Sequence, residues 1–481
     1  MKIKRHSLTI VPARDRVLIR PFLPTEERAR EIADRVLALS AREVARLLAN
    51  VERQFSDRHF DIESVFRRNF EAMRSVLPQE HALSEKTKLL LGSYFSSEYA
   101  LESAALFNPS IIAHPDQSGV PSGSIRFIMS LRATGEGHIS SIEFRSGVIN
   151  RAGHVTVVAA GDFVTEPTLV PDPAYDKALF ALKLDEMRDH TSVSDRVLAP
   201  LPEQFSRSQL LESIQNFKVQ LGREFNQEQE RSISAIRWLA ESNYEVRFDP
   251  DIQLSERIIF PASSNESNGI EDARFVRFTD NDGEVTYYAT YTAYNGQAIL
   301  PQMLETKDFL HFDIRTLNGP AAQNKGMALF PRRINGRYAM IGRQDNQNLF
   351  LMSSDHPHFW YDADKILGPE QPWEFVQMGN CGSPIETDHG WLLLTHGVGP
   401  MRRYCVGAVL LDLKDPSRVI GRLKKPLLEP KENEREGYVP NVIYTCGGML
   451  HNGTLFIPYA MSDYASSMAS VRLDELLNAM A

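Results

Sequence analysis

Residues 282–294 read DGEVTYYATYTAY, a turn ending in glycine followed by an unbroken β-prone run. The phrase returns as NGRYAMIGR (335–343), HGWLLLTHG (389–397) and NGTLFIPYAMSD (452–463), and more loosely as SGSIRFIMSLRA (122–133). An Asn-Gly or Asp-Gly turn before such a run marks the tip of a hairpin. Gly283, Gly336, Gly390 and Gly453 fall at intervals of 53, 54 and 63 residues. Strand-bearing units at that period predict an all-β body, a five-bladed β-propeller. Arg132, Tyr294, Arg343, His396 and Asp463 then lie at or just past the ends of equivalent strands, which would gather at one mouth and line one pocket.

Helical patterns flank and interrupt this body. Residues 1–95 are expected to form an N-terminal segment and helical arm, with the propeller over 96–470. Pro24-Thr25-Glu26-Glu27 starts a first helix, and Leu39, Val44, Leu47, Leu48 and Val51 share one face of a second. A third covers about Ile62 to Leu77. A polar, helix-periodic stretch at about 203–242 is expected to be an inserted helical hairpin, and 471–481 a closing helix. The arm is expected to pack on the β body or on a second copy of the chain, as a route to a homo-oligomer.

Composition narrows the function classes. The 481 residues carry 53 basic and 62 acidic side chains, a net charge of −9, which gives no reason to expect nucleic acid. No apolar run is long enough for a membrane span, and the N-terminus lacks the apolar core of a secretion signal. Cys381, Cys405 and Cys446 are too few and scattered for a disulfide framework or a zinc site. The expected setting is the cytoplasm. No Gly-rich phosphate loop, GxSxG elbow or HExxH zinc motif is present.

The sharpest local signal is GIEDARF (269–275), two adjacent carboxylates and an arginine entering a strand. Strand alternation would put Glu271 and Asp272 on opposite faces, and Asp272 and Arg274 on the same one. An arginine beside a carboxylate lowers its pKa, which suits a base or an ion pair, whereas an acid needs offsetting burial. A structural Asp272–Arg274 bridge is equally open. Asn108 before Pro109 either caps a loop or binds a hydroxyl. His396 is read as a core histidine, a sugar ligand or a proton carrier.

Taken in order, FNPSI (107–111), FIMSLRA (127–133), GIEDARF, NKGMALFPRRINGRYAMIGR (324–343), GSPIETDHGWLLLTHGV (382–398), YCVGAVLLDLKDPSRVIGR (404–422), GYVPNVIYTCGG (437–448) and YAMSD (459–463) resemble glycoside hydrolase family 130, five-bladed propellers acting on β-mannosides. The resemblance implies that Asp272 is the catalytic acid, with EDAR replacing the usual EDPR. It implies that Asn108 and Asp463 hold mannose hydroxyls, and it adds Arg274, His396 and Tyr459 to the substrate-binding set. Arg132 and Lys325 match positions that bind inorganic phosphate, and Arg343, with Arg402 and Arg403, can supplement them. Glu386 stands where the family has a phosphate-binding lysine. The expected reaction is inverting phosphorolysis to α-mannose 1-phosphate, with phosphate as co-substrate and no cofactor or metal. The alternative is an inverting hydrolase with Glu386 as base, its carboxyl about 6.5–9.5 Å from that of Asp272. A non-catalytic carbohydrate-binding propeller is a third reading.

Overall fold

The computed structural model describes residues 1–76 and 83–480. The glycine-tipped phrases are the central strands of five antiparallel sheets. In chain order the strands Ile125–Thr134, Val285–Tyr294, Tyr338–Gly342, Gly390–Val398 and Thr454–Met461 each pair with a preceding inner strand and a following outer one. The tips lie in left-handed backbone, as such turns require: Gly283, Gly336, Gly390 and Gly453 all have positive φ.

The fifth sheet is completed from the other end of the chain, where Lys4–Ile10 pairs with Ala465–Arg472. Among the described residues no strand pairing links one of the five sheets to another, so hydrogen-bonded register alone does not fix the expected five-bladed arrangement. Packing does run from sheet to sheet in chain order, and from the fifth back to the first. It buries mixed aliphatic and aromatic clusters between neighbours, such as Phe144, Phe275, Phe309 and Phe312.

The helices depart from expectation in two places. The arm contains Glu26–Leu37, Ala41–Phe55 and Ile62–Met73 as read, although the end of the third run at Leu77 lies outside the described residues, as do 78–82 of the arm and the final Ala481. A further helix, Glu85–Tyr94, forms the arm's centre. Its consecutive buried Leu89, Leu90 and Leu91 erase the amphipathic period that a sequence reading relies on. Gly92 lets it touch the third helix, since a Cβ there would sit 1.9 Å from the carbonyl oxygen of Phe66. The hairpin expected at about 203–242 is half of a larger unit. Helices Lys177–Glu186 and Ser192–Leu198 precede Arg207–Leu221 and Gln227–Ser242, and two short strands, Ala174–Asp176 and Gln204–Ser206, tie them together. The first two helices are too short and too evenly apolar to announce themselves by periodicity.

A buried ionic quartet joins the N-terminal segment to the first sheet. Arg16 meets Glu102 at 2.9 Å and Glu143 at 3.0 Å, and Arg145 meets both at 3.0 Å. Two guanidiniums face two carboxyl groups, and burial, with the Glu143 charge beside it, pushes Glu102 up to about 8.

Candidate active site

The site forms where inner strands break register in the same way. In the first sheet Phe107 pairs with Arg132 and Ser110 with Ser130, leaving Asn108-Pro109 opposite one residue. In the second, Glu271 pairs with Thr292 and Arg274 with Thr290, leaving Asp272-Ala273 opposite one residue. Each break is a β-bulge, a device that re-aims side chains. Asn108 (φ 48°) and Asp272 (φ 55°) occupy the left-handed region, which Asn and Asp tolerate better than most residues. The two bulges point their side chains at each other, and Asn108 Nδ2 donates to Asp272 Oδ1 at 2.7 Å.

The bulge also overturns the alternation argument. Glu271 and Asp272 do not diverge: Arg132 reaches both, Nη2 to Glu271 at 2.8 Å and Nη1 to Asp272 at 3.3 Å. Lys325 Nζ takes the other Glu271 oxygen at 2.8 Å. Arg274 is not bridged to the Asp272 carboxylate. Its Nη1 donates to the Asp272 backbone oxygen at 2.9 Å and its Nη2 to the Tyr444 hydroxyl at 2.8 Å. Sequence reasoning did not single out Glu271 as the link between two cations, or Tyr444 as the anchor of Arg274. Nothing in the local pattern around IYTCGG marks that tyrosine.

Beyond Arg274 the site is cationic. Arg343 is buried, and its hydrogen-bond partner is His396, Nη1 to Nε2 at 3.2 Å. Burial, then Arg343 and Arg274, push the His396 pKa well below its ordinary value, so the ring is neutral and offers Nε2 as acceptor. Among the described residues neither Arg274 nor Arg343 has a carboxylate within ion-pair distance. Both carry a buried Nε without a hydrogen-bond partner, as does Asn380 at Oδ1 and Asn108 at Oδ1. Gly326 (φ 84°) keeps the space between them open. A Cβ there would lie 3.5 Å from Asn380 Oδ1 and 3.9 Å from both Arg274 Nη2 and Arg343 Nε.

The two aspartates are driven apart. Burial alone would raise Asp272, but Arg132, Arg274, Asn108 and Lys325 hold its carboxyl below the usual range. Asp463 sits with Ser462 at the tip of a hairpin, both at φ 50°. Burial, with the Asp272 charge nearby, pushes it up to about 7.

A family model described as beta-1,4-mannooligosaccharide phosphorylase matches residues 231–481. The chain belongs to glycoside hydrolase family 130. It is 35% identical over 232 residues to a 1,2-beta-oligomannan phosphorylase of a Thermoanaerobacter species, covering 47% of this chain and 75% of that protein. A beta-1,2-mannobiose phosphorylase of Listeria innocua is 32% identical over 228 residues, covering 46% of this chain and 62% of that one. The solved structure of the beta-1,2-mannobiose phosphorylase from Listeria innocua with β-1,2-mannobiose aligns at 21% identity and a TM-score of 0.47, covering 78% of this chain and 92% of that one.

Of the residues expected from family 130 motifs, Asn108, Arg132, Asp272, Arg274, Lys325, Arg343, His396 and Asp463 come together here. Two do not. Tyr459 is buried and gives its hydroxyl to Glu434 at 2.8 Å, in a group that includes Arg5 from the first strand. Its neighbour Ala460 is the residue that packs against Phe107. Glu386 lies toward the other end of the inner strands, pinned by Arg332 Nη2 at 2.7 Å, beside a cavity of about 640 Å³ that Arg277 and Asp280 also line. None of the eight residues gathered at the site lines that cavity. The charge reversal read from the family 130 phrase therefore falls outside the cationic site. Among the described residues no helix is long and apolar enough to cross a membrane.

Proposed function

We propose that this chain cleaves β-mannosides by inverting phosphorolysis, yielding α-mannose 1-phosphate. The observation that carries the reading is the pair of buried guanidiniums, Arg274 and Arg343, with no carboxylate partner beside Asp272. A buried charge without a partner is costly, and such a pair is kept where an anion completes it. Phosphate, a dianion near neutral pH, has the charge and the acceptor oxygens to do so. The two sequence relatives named above are both phosphorylases of mannosides, which supports the same chemistry.

In this reading a non-reducing mannose sits against Asn108 and Asp463. Phosphate, held by Arg343, Arg274, Arg132 and Lys325, attacks the anomeric carbon from the face opposite the β-linked oxygen. The bond to that oxygen breaks, and Asp272 delivers a proton to it, directly or through a sugar hydroxyl. Asp272 regains the proton that phosphate carried in, so the overall exchange is balanced. The cations that hold Asp272 ionised are those the phosphate would engage. Its arrival weakens their hold and raises the aspartate toward the protonated form. Nucleophile and acid are thereby armed together.

The five sheets are read as the blades of a β-propeller, supported by the cyclic packing from first to fifth and back. A cytoplasmic setting fits a reaction that conserves bond energy as a sugar phosphate. The exposed Phe22, Leu23, Phe60 and Tyr94 of the arm are the face through which self-association is proposed, to be read from mass in solution.

The test is incubation with β-1,2- and β-1,4-mannobiose, with and without inorganic phosphate. Mannose 1-phosphate formed only with phosphate supports the reading, and free mannose released equally in both overturns it.

A further inference from the structure

Two loops from opposite ends of the chain meet at the rim of this site. The turn Gly135–Ile139 follows the strand that carries Arg132 and exposes His138, whose φ is 61°. The segment Gly437–Asn441 leads into the inner strand of the fifth sheet and leaves Tyr438 55% exposed. The His138 and Tyr438 rings lie 5.5 Å apart, and the tyrosine hydroxyl is 3.3 Å from His138 Nδ1. The pair is fastened to the catalytic groups. Val439 N donates to the Ser462 carbonyl at 3.1 Å, one residue from Asp463, and Leu106 N donates to the Tyr464 carbonyl at 2.9 Å, two residues from Asn108. Gly437 passes so close to that hairpin that a Cβ would lie 2.3 Å from the Ser462 oxygen.

A single exposed aromatic needs no explanation, but two rings held side by side near such a site do. The side chains of Arg132, Glu271 and Asp272 are only 14–18% exposed, so a substrate that reaches them must pass the loops around them. We propose that the His138–Tyr438 pair is the platform for the sugar on the leaving side of the scissile bond, and so sets acceptor specificity. This rests on the β-mannoside phosphorolysis reading. The apolar face of a pyranose packs on a flat aromatic ring, and tyrosine supplies that surface at little cost in side-chain entropy. The bridge to His138 fixes the ring's tilt, as a platform requires.

The test is the synthetic direction, in which α-mannose 1-phosphate and a mannose acceptor have separate KM values. Tyr438→Ala is expected to raise the acceptor KM about tenfold, with the KM for α-mannose 1-phosphate within about twofold of the parent. Tyr438→Phe, which keeps the ring but loses the bridge to His138, should recover part of the loss. His138→Ala, on the opposite loop, should give the same split at smaller size, and it serves if Tyr438→Ala fails to fold. Equal rises in both KM values, or no change in either, in a wild type that turns over would overturn this inference alone. A wild type inactive on every manno-oligosaccharide would overturn the phosphorolysis reading and this inference with it.

Discussion

The molecule holds two arginine–carboxylate clusters, and they are built on opposite principles. In the quartet of Arg16, Arg145, Glu102 and Glu143, every guanidinium meets both carboxyl groups. In the site, Arg132 and Lys325 meet Glu271 or Asp272, while among the described residues Arg274 and Arg343 have no carboxylate within ion-pair distance. Mutual pairing closes the first cluster to everything else. Its absence leaves the second with cations that an anion from outside can satisfy. The difference shows where in this fold ionic groups hold structure together and where they wait for a substrate.

The comparison is broken most sharply by removing the one carboxyl assigned to chemistry. Asp272→Asn is expected to lower phosphorolysis by about 10³-fold or more while the protein still folds, checked by mannose 1-phosphate release and a cooperative calorimetric transition. Next comes the mutually paired cluster. Arg145→Met strips one cation from a closed quartet and should cost about 3–5 kcal/mol of stability by denaturant titration. The phosphate KM of the folded protein should stay unchanged. Arg343→Met inverts this pattern, raising the phosphate KM about 10- to 100-fold with stability equal or higher, because it removes a buried charge that among the described residues has no carboxylate partner.

Protonation sharpens the contrast further. Asp463 has its pKa raised from 3.8 to about 7, so between those values the folded state binds more protons than the unfolded. Its contribution to stability is fully present below about pH 4 and declines as pH rises toward 7. Asp463→Asn should flatten that decline in melting curves taken across the window. Asp272 has the opposite sign: its pKa is lowered, and its contribution is lost as pH falls through the depressed value. The smallest effect is expected from Glu386→Gln, less than about twofold in turnover with or without phosphate, since its ion pair with Arg332 is part-exposed.

The strand framework was legible because each central strand announces itself with a glycine in left-handed backbone and a dense β-prone run. The motif singled out Asp272 as a candidate, but not the direction of its side chain. Alternation predicts that Glu271 and Asp272 part, and a bulge invisible in the letters EDAR brings both onto Arg132. Tyr459 failed for the converse reason. It stands in an unbroken strand, where strict alternation turns it to Glu434 while Ala460 faces the first sheet. Glu386 shows that an aligned motif preserves order along the chain better than it preserves which end of a strand a side chain serves. The helix Glu85–Tyr94 escaped because its consecutive buried residues Leu89–Gly92 replace the periodic signal that surface helices carry.

The strand Lys4–Ile10 closes the fold at long range. It pairs with Ala465–Arg472, far from it in sequence, so its hydrogen bonds form only when both segments are in place together. Arg5 on that strand holds Glu434, whose carbonyl anchors Ser462 beside Asp463. The hairpin that carries Asp463 is thus braced by a segment distant from it in sequence. A chain lacking Lys4–Ile10 is expected to keep Asp272 on its bulge and to hold a mannose more loosely at Asp463.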